Sequence, residues 1–113
     1  MEFDVTPLEG GIHRVHLNGR MDSPGVDRIE LRYSAAVVAS GRDVIVDLSD
    51  VSFLASMGIR LFISSARALH GKGAKMVLFG ASPDVQSVLD TVALDQIIPI
   101  AADQAQALAL LKA

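Results

Sequence analysis

Short hydrophobic runs alternate along this chain with longer segments in which hydrophobic residues recur every three or four positions. The short runs predict β-strands, and the longer amphipathic segments predict α-helices. In chain order, the predicted strands are residues 2–6, 12–17, 44–48, 75–79 and 97–100. The predicted helices begin near residues 23, 56, 82 and 103, and the first of them runs to about residue 40.

These elements follow the order β-β-α-β-α-β-α-β-α. A glycine-rich connection of hairpin length at residues 7–11 joins the first two strands, which predicts an antiparallel pair. Helices separate the later strands, which predicts parallel pairing through crossover connections. We therefore expect one domain over residues 1–113, of the α/β class, with a mixed sheet of four to five strands and helices packed against it.

Three of the predicted helix starts carry side chains that can satisfy free backbone N-H groups. Ser23 and Ser82 each precede a proline, so each serine is predicted to cap its helix while the proline takes the first helical position. Asp103 and Gln106 have the spacing of a capping box at the start of the last helix.

Residues 43–69 are the most informative segment, because a buried strand leads through a short polar turn into a helix that begins at Ser56. We expect residues 51–54 to carry the chain across the end of that strand. Ser56 then lies among the unpaired N-H groups of a helix start, where negative charge is favoured. The serine is well placed to carry a phosphate or to meet an anion, and the alternative is that it only caps the helix.

The helix that begins at Ser56 has two different faces. Its inward face is predicted to consist of Ile59, Phe62, Ile63, Ala66 and Leu69. A second face, predicted to be exposed, consists of Met57, Arg60, Ser64 and Arg67. On that face Met57 offers an adaptable apolar contact and Arg60 a directional polar one, so the face either binds a protein partner or is simply solvated. Gly58 either permits close packing of the helix on a strand or lets a partner approach the backbone.

The composition of the chain narrows the range of partners. A formal net charge of -3 without a basic tract gives no electrostatic footprint for nucleic acid or for an anionic membrane. The chain has no cysteine, which excludes disulfides and thiolate metal sites. Hydrophobic runs stay well short of the ~20 residues that span a bilayer, and residues 1–4 do not resemble a signal peptide. We expect a cytoplasmic protein that contacts neither nucleic acid nor membrane.

The three histidines predict no catalytic or metal site. His13 and His16 are three positions apart on a strand, so they point to opposite faces and cannot share a metal ion. His70 falls in the last turn of its helix, where a cation complements the negative helix end. Ser56 has no nearby histidine to act as a base. We therefore expect no enzyme, no catalytic residue, no metal and no cofactor.

Three aspartates, Asp43, Asp47 and Asp50, cluster around the third strand. Such a cluster can hold Mg²⁺ or accept a phosphoryl group. A phosphoreceiver also needs an acidic pair after its first strand and a lysine after its last, and neither is found at those places. We expect the aspartates to cap turns and shield the sheet edge. Residues 71–73 read GKG, which lacks the spacing of a phosphate-binding loop.

Three motifs, taken in order, extend over nearly the whole chain. They read LNGRMD at residues 17–22, DLSDVSFLASMGI at residues 47–59, and SPDVQSVLD at residues 82–90, the last followed by LDQIIPI. Together they resemble the STAS domain family, and specifically its free-standing anti-sigma factor antagonists. The middle motif is the most specific, since it joins an aspartate-leucine pair to a serine-glycine helix start.

The resemblance implies a partner-switching protein. In the family, the serine at the position of Ser56 is phosphorylated by a partner that is both a serine kinase and an anti-sigma factor. The unphosphorylated antagonist binds that partner, and the phosphorylated form is released until a metal-dependent serine phosphatase restores it. The implied site is phosphorylation at Ser56 with a partner contact that includes Asp22, Met57, Gly58 and Arg60.

Two positions bear on how far the resemblance extends. Asp22 matches an acidic residue that the family uses near the kinase contact, and it is equally placed to start a helix. Family members often carry an acidic residue immediately before the phosphoacceptor, where this chain has Ala55. A second function therefore stays open, that of a phosphorylation-independent STAS subunit in a lipid-transport or sensory complex.

Overall fold

The computed structural model describes residues 1–112, which form five strands, four α-helices and three short helical turns. The strands are β1 (Glu2–Pro7), β2 (His13–Met21), β3 (Val44–Leu54), β4 (Met76–Phe79) and β5 (Ile100–Ala101). The α-helices are α1 (Ser23–Tyr33), α2 (Ser56–Gly71), α3 (Pro83–Thr91) and α4 (Gln104–Leu111). The short turns lie at Glu9–Gly11, Leu94–Gln96 and, as a π-helical continuation of α1, Ser34–Val38. Residue 113, where the predicted domain ends, lies outside the described residues.

All five strands form one sheet in the order β1-β2-β3-β4-β5. β1 and β2 pair antiparallel, whereas β2 with β3, β3 with β4, and β4 with β5 pair parallel. The predicted order of elements, the mixed sheet and the α/β class are therefore confirmed. Because β2, β3, β4 and β5 run in the same direction, their carboxyl ends lie at one edge of the sheet, and the turn before Ser56 lies at that edge.

β3 is longer than the sequence predicts. Residues 51–54 do not leave the sheet; they stay paired with β2 as far as Leu54, opposite Met21. Two irregularities in the pairing, between His16 and Asn18 and between Gly19 and Arg20 of β2, each add one extra residue to β3. After each bulge, the residues of β3 whose side chains point into the core come one position later in the sequence. The buried residues in this part of β3 are Leu48, Val51 and Leu54.

These residues are three positions apart, whereas the side chains on one face of a regular strand are two apart. The hydrophobic pattern therefore did not predict the second half of β3. The same pairing extends β2 to Met21, beyond its predicted end at residue 17. At the other side of the sheet, β5 covers Ile100–Ala101 and not residues 97–100, since the chain before it forms a single helical turn and then reaches Pro99. A proline has no N-H group to donate to a neighbouring strand.

Hydrophobic residues pack on both faces of the sheet. One face packs against α1, α2 and α3, and this larger core includes Tyr33, Phe62 and Leu89. The other face packs against α4, whose Ala107 and Leu111 lie in a smaller cluster that also contains strand residues Ile45, Val77 and Phe79. The helices thus form two layers around the sheet and hold β3 and β4 between them.

The helix caps follow the predictions at two of three places. Ser82 accepts a hydrogen bond from the Val85 N-H at 3.3 Å, and Asp103 accepts one from the Gln106 N-H at 2.9 Å. The prediction that Ser23 caps α1 is wrong, because Asp22 holds that position and accepts from the Gly25 N-H at 2.9 Å. Ser23 is the first helical residue.

The inward face of α2 is rotated from the predicted one. Its buried residues are Gly58, Leu61, Phe62, Ser65 and Leu69. Ile59, Ile63 and Ala66, which were predicted to point inward, are half-buried at the side of the helix. Gly58 and Ser65 carry no hydrophobic side chain, so a pattern of hydrophobic positions could not place them inside. Gly58 lies where the helix packs closely against Met21 and Leu54, and the Ser65 hydroxyl lies 3.1 Å from the Tyr33 hydroxyl.

Candidate functional site

The turn between β3 and α2 is fastened to the neighbouring strand. After Leu54, the Ala55 N-H donates a hydrogen bond to the Met21 carbonyl at 3.1 Å, and α2 begins at the next residue. Ser56 is therefore the first residue of α2, at the edge of the sheet where the parallel strands end. This placement agrees with the predicted helix start.

Ser56 does not cap its own helix. Ala55 takes the N-cap position and has no side chain that could satisfy the first N-H groups. Ser56 is exposed, and within residues 1–112 its hydroxyl has no hydrogen-bond partner. The Gly58 and Ile59 N-H groups both donate to the Ala55 carbonyl, at 3.0 and 3.2 Å. The N-H groups of Ser56 and Met57 have no partner among the described residues, so the helix start keeps free donors beside the hydroxyl.

Met57 and Arg60 lie together on the side of α2 next to Ser56. Arg60 is exposed, and its guanidinium donates towards the Met57 sulfur at 3.8 Å. Met57 is half-buried and packs against the main core, so it is less exposed than the sequence predicts. Ser64 and Arg67, further along the same helix, are exposed as predicted.

Gly58 is buried, and a side chain there would collide with the sheet. A Cβ atom at this position would lie 2.5 Å from Leu54 Cδ1 and 2.9 Å from Met21 Cβ. Of the two predicted roles, close packing of helix on strand is the one found in the structure. The glycine thereby fixes how near the start of α2 approaches the strand ends.

A cluster that the sequence did not predict lies beside this turn, at the ends of β2 and β3. The Arg20 guanidinium lies 4.3 Å from the centroid of the Phe53 ring, and its Nε donates to Asp22 at 3.2 Å. Phe53 is 40% exposed, so its ring is accessible at the surface beside the turn. The pairing of Arg20 with Phe53 follows from the second bulge, so it became visible only with the extended β2 and β3.

Asp22 is a structural residue in addition to any role in binding. Its carboxylate accepts from the Gly25 N-H and from Arg20. The hydrogen bond from Gly25, followed by the hydrogen bond and positive charge of Arg20, lowers the pKa of Asp22 from its ordinary value. Asp22 is therefore ionised at neutral pH, and its carboxylate is paired with the Arg20 guanidinium beside the turn.

The other predicted candidates have structural partners. Asp47 is buried, forms an ion pair with Arg14 and accepts from the Ser49 N-H, so the expectation that it shields a sheet edge is wrong. Asp50 contacts His16 Nε2 at 2.6 Å, and the Asp43 carboxylate accepts from the Lys75 N-H at 2.9 Å.

No group of three potential metal ligands is found within residues 1–112. The partners of the three aspartates run along the sheet, and they do not converge on one point. The histidines likewise lie apart: His13 and His16 alternate on β2, and His70 is in the last turn of α2.

The family assignment comes from the sequence profile of the STAS domain, which matches residues 5–107. The chain belongs to the STAS domain family. The resemblance inferred from the three motifs is thereby confirmed. The matched range contains β2 to β5, α1 to α3, the second half of β1 and the first half of α4.

Two curated proteins are similar in sequence to this STAS domain. BtrV of Bordetella bronchiseptica, named as a candidate anti-sigma factor antagonist, is 27% identical over 96 residues, which is 85% of this chain and 83% of BtrV. The anti-sigma F factor antagonist of Paenibacillus polymyxa is 24% identical over 99 residues, 87% of this chain and 85% of that protein.

Solved structures share the fold of this STAS domain. A candidate anti-sigma factor antagonist from Thermotoga maritima superposes with a TM-score of 0.88 at 15% identity, covering 98% of this chain and 95% of the other. The phosphorylated form of the Bacillus cell fate determinant SpoIIAA superposes with a TM-score of 0.68 at 21% identity, covering 96% and 98%. Within residues 1–112 of the present chain, none of the helices is both long and apolar enough to cross a bilayer.

Proposed function

We propose that this STAS domain is an anti-sigma factor antagonist in a partner-switching pathway. In its unphosphorylated form it binds a serine-kinase anti-sigma factor, which is then unable to hold its sigma factor. The kinase phosphorylates Ser56 and releases the antagonist, and a serine phosphatase returns it to the binding form. The domain acts in the cytoplasm as a binding protein and not as an enzyme.

The proposal rests on the exposure and hydrogen bonding of the Ser56 hydroxyl. Its hydroxyl is exposed and, among residues 1–112, has no hydrogen-bond partner, so a kinase can reach it without breaking a contact of the fold. A phosphate on this oxygen adds about 1.5 to 2 negative charges at the start of α2. The free N-H groups and the positive helix end stabilise that charge within the domain itself.

The same charge weakens the complex with the kinase. We infer that the contact surface consists of Ser56, Met57, Gly58, Arg60 and Asp22. Gly58 contributes by setting the position of the helix start, because it has no side chain to offer. A phosphate at the centre of such a surface must be desolvated when the partner closes over it, and this costs free energy that the unmodified hydroxyl does not cost. Release therefore needs no refolding of the domain.

The phosphorylation step is tested with purified serine-kinase anti-sigma factors from the organism that encodes this chain. Each is incubated with ATP and the STAS domain, and the phosphate is located by mass spectrometry. We expect one phosphate on Ser56, and we expect Ser56→Ala to abolish it. Ser64→Ala is the matched control, because Ser64 is an exposed serine on the same helix, and it should be labelled normally. Equal labelling of Ser56→Ala and the unchanged domain would contradict the assignment.

The binding step has its own test with the same proteins. Ser56→Asp places charge at the helix start and should weaken the complex with the kinase, whereas Ser64→Asp should bind like the unchanged domain. A complex that forms without any labelling, and that is indifferent to Ser56→Asp, would instead favour a phosphorylation-independent STAS subunit. The absence of an acidic residue at Ala55 is the feature of the chain that makes this outcome worth separating.

A further inference from the structure

A cleft lies at the edge of the molecule opposite Ser56. It has a volume of about 400 Å³ and is formed by the last turns of α2, the start of β4, the segment that precedes β5, and α4. This volume is within the ~300 to 1,000 Å³ range of small-molecule sites. Arg67, which lines the cleft, follows Ser56 by eleven residues, so the two sites are roughly 16 Å apart along the helix.

The cleft exists because β5 is short. β5 pairs with Leu78 and Phe79, the last two residues of β4, and the Pro99 carbonyl accepts from the Leu78 N-H at 3.0 Å. The first half of β4 has no strand on that side. Since α2 and α4 lie on opposite faces of the sheet, they leave a slot between them where a longer β5 would lie.

The walls of this slot are largely apolar. Met76 and Ala66 line it from β4 and α2, and Ile97 and Leu110 line it from the opposite side. Ile97 is 53% exposed and Leu110 is 40% exposed, so two of the few exposed large hydrophobic residues of residues 1–112 border the same cleft. A concave surface with exposed apolar residues on its rim is typical of a binding site.

The rim of the cleft is positively charged, although the chain as a whole has a net charge of -3. Arg67 and His70 line it from neighbouring turns of α2, and neither side chain forms a hydrogen bond or an ion pair within residues 1–112. No acidic residue described in the structure lines the cleft. Lys75 also lies there, but its Nζ contacts the Leu111 carbonyl at 3.4 Å, so the assignment does not depend on it.

We propose that this cleft binds a small amphipathic carboxylate of the medium-chain fatty-acid class. The hydrocarbon chain packs between Met76, Ile97 and Leu110, and the carboxylate meets the Arg67 guanidinium at the mouth. Arg67 carries the selectivity for an anion, because its guanidinium offers the carboxylate charge-assisted hydrogen bonds. A half-enclosed slot of this volume suits a small molecule better than a partner helix, which needs a long open groove.

The test is a titration of the isotope-labelled domain with decanoate, kept below its micelle concentration and followed by amide chemical shifts. We expect saturable shifts confined to the last turns of α2, the start of β4 and residues 97 and 98. Decanol, which has the same chain without the charge, should bind at least about tenfold more weakly. Scattered, non-saturating shifts at exposed apolar positions such as Leu31, or equal binding of decanol, would overturn the proposal.

Two variants and one control separate the head group from the chain. Arg67→Ala should weaken decanoate binding about tenfold and leave decanol unchanged, since it removes the charge-assisted hydrogen bond alone. Ala66→Phe fills the cleft and should abolish binding of both probes. Arg28→Ala, an exposed arginine on α1 outside the cleft, should change neither. Decanoate affinity that is the same in the Arg67→Ala and Arg28→Ala variants would contradict the role of Arg67.

Discussion

Ser56 differs from the other serines of α2 in what its hydroxyl contacts. Ser64 and Ser65 donate to the Leu61 carbonyl, at 3.2 and 2.7 Å, as serines inside helices commonly do. Ser56 is the first helical residue, so no earlier turn of the helix offers it a carbonyl. Its hydroxyl is therefore left for solvent or for an enzyme, and this follows from its position and not from its residue type.

The close approach at Gly58 gives the first prediction. Gly58→Ala should lower the free energy of unfolding by about 1 to 3 kcal/mol, because its methyl group would overlap Leu54 and Met21. This range is the net change, because the cost of the overlap exceeds the gain of roughly 1 kcal/mol that alanine brings to a helix. Gly71→Ala is the matched control, since a Cβ there meets no atom within 4 Å, and it should be neutral or stabilising. Urea denaturation measures both, and equal stability of the two variants would contradict the packing role.

A pair of substitutions separates the capping role of Asp22 from its proposed role in kinase binding. Asp22→Ala removes the cap of α1 and should lower the urea midpoint, whereas Asp22→Asn keeps an acceptor for the Gly25 N-H and should preserve most of the stability. If the carboxylate also contacts the kinase, Asp22→Asn should still weaken binding, because it removes the charge. Normal kinase affinity of Asp22→Asn would leave Asp22 with the capping role alone.

The ionisation of Asp22 adds a pH dependence to this pair. Its pKa is lowered in the folded domain, chiefly by the Gly25 N-H and then by Arg20. The stability it contributes is present above its unfolded pKa and is lost as the pH falls through its folded pKa. The Asp22→Asn variant should lack this acid-side dependence in a series of urea denaturations at decreasing pH.

At the scale of elements, α1 and α2 are joined by a buried polar contact. The Tyr33 hydroxyl lies 3.1 Å from the Ser65 hydroxyl, and both residues are almost fully buried. Ser65 also bonds to carbonyls of its own helix, so the two helices share a satisfied network inside the main core. This contact explains why a serine occupies the inward face of α2, where the sequence pattern predicts hydrophobic residues.

Burial raises the pKa of Tyr33 to about 12, although the hydrogen bond with Ser65 lowers it. A raised pKa means that the folded domain holds this proton after the unfolded chain has lost it. Stability should therefore be constant below about pH 10 with respect to this group and fall by up to about 3 kcal/mol as the pH rises to 12. Tyr33→Phe should remove that alkaline loss in denaturation series, and an unchanged loss would contradict the buried phenol.

The elements that the sequence predicted well are those with an uninterrupted period. The hydrophobic run of β4 and the caps at Ser82 and Asp103 each follow from local rules that tertiary packing does not disturb. The second half of β3 could not be predicted, because two bulges change its phase and their positions depend on pairing with β2. The Arg20–Phe53 contact was missed for the same reason.

The predicted site follows the same division. The position of Ser56 at a helix start could be predicted from local sequence, since a hydrophobic strand and a short polar turn precede Ser56 and Gly58. The burial of Gly58 and the half-burial of Met57 could not, because they depend on how closely α2 approaches Met21 and Leu54. The local sequence therefore identified the candidate residues of the site, whereas packing of α2 on the sheet determines which of them are exposed.

For the whole molecule, we predict that phosphorylation changes the surface and not the fold. Ser56 is exposed, and its helix is fixed to the sheet by buried residues on the far side. The radius of gyration, 12.6 Å over the Cα atoms, should therefore be the same in both forms by small-angle scattering. Amide shifts should change near the β3–α2 turn alone, and widespread shifts across α3 and α4 would indicate a conformational switch instead.

The proposed switch is a change in a binding equilibrium, and measuring that equilibrium in both states of Ser56 tests it. The unmodified domain and the domain phosphorylated at Ser56 are titrated into the purified serine-kinase anti-sigma factor by calorimetry. We predict that the phosphorylated form binds at least about tenfold more weakly, a loss of about 1.4 kcal/mol or more. Equal affinities of the two forms would contradict the proposed switch.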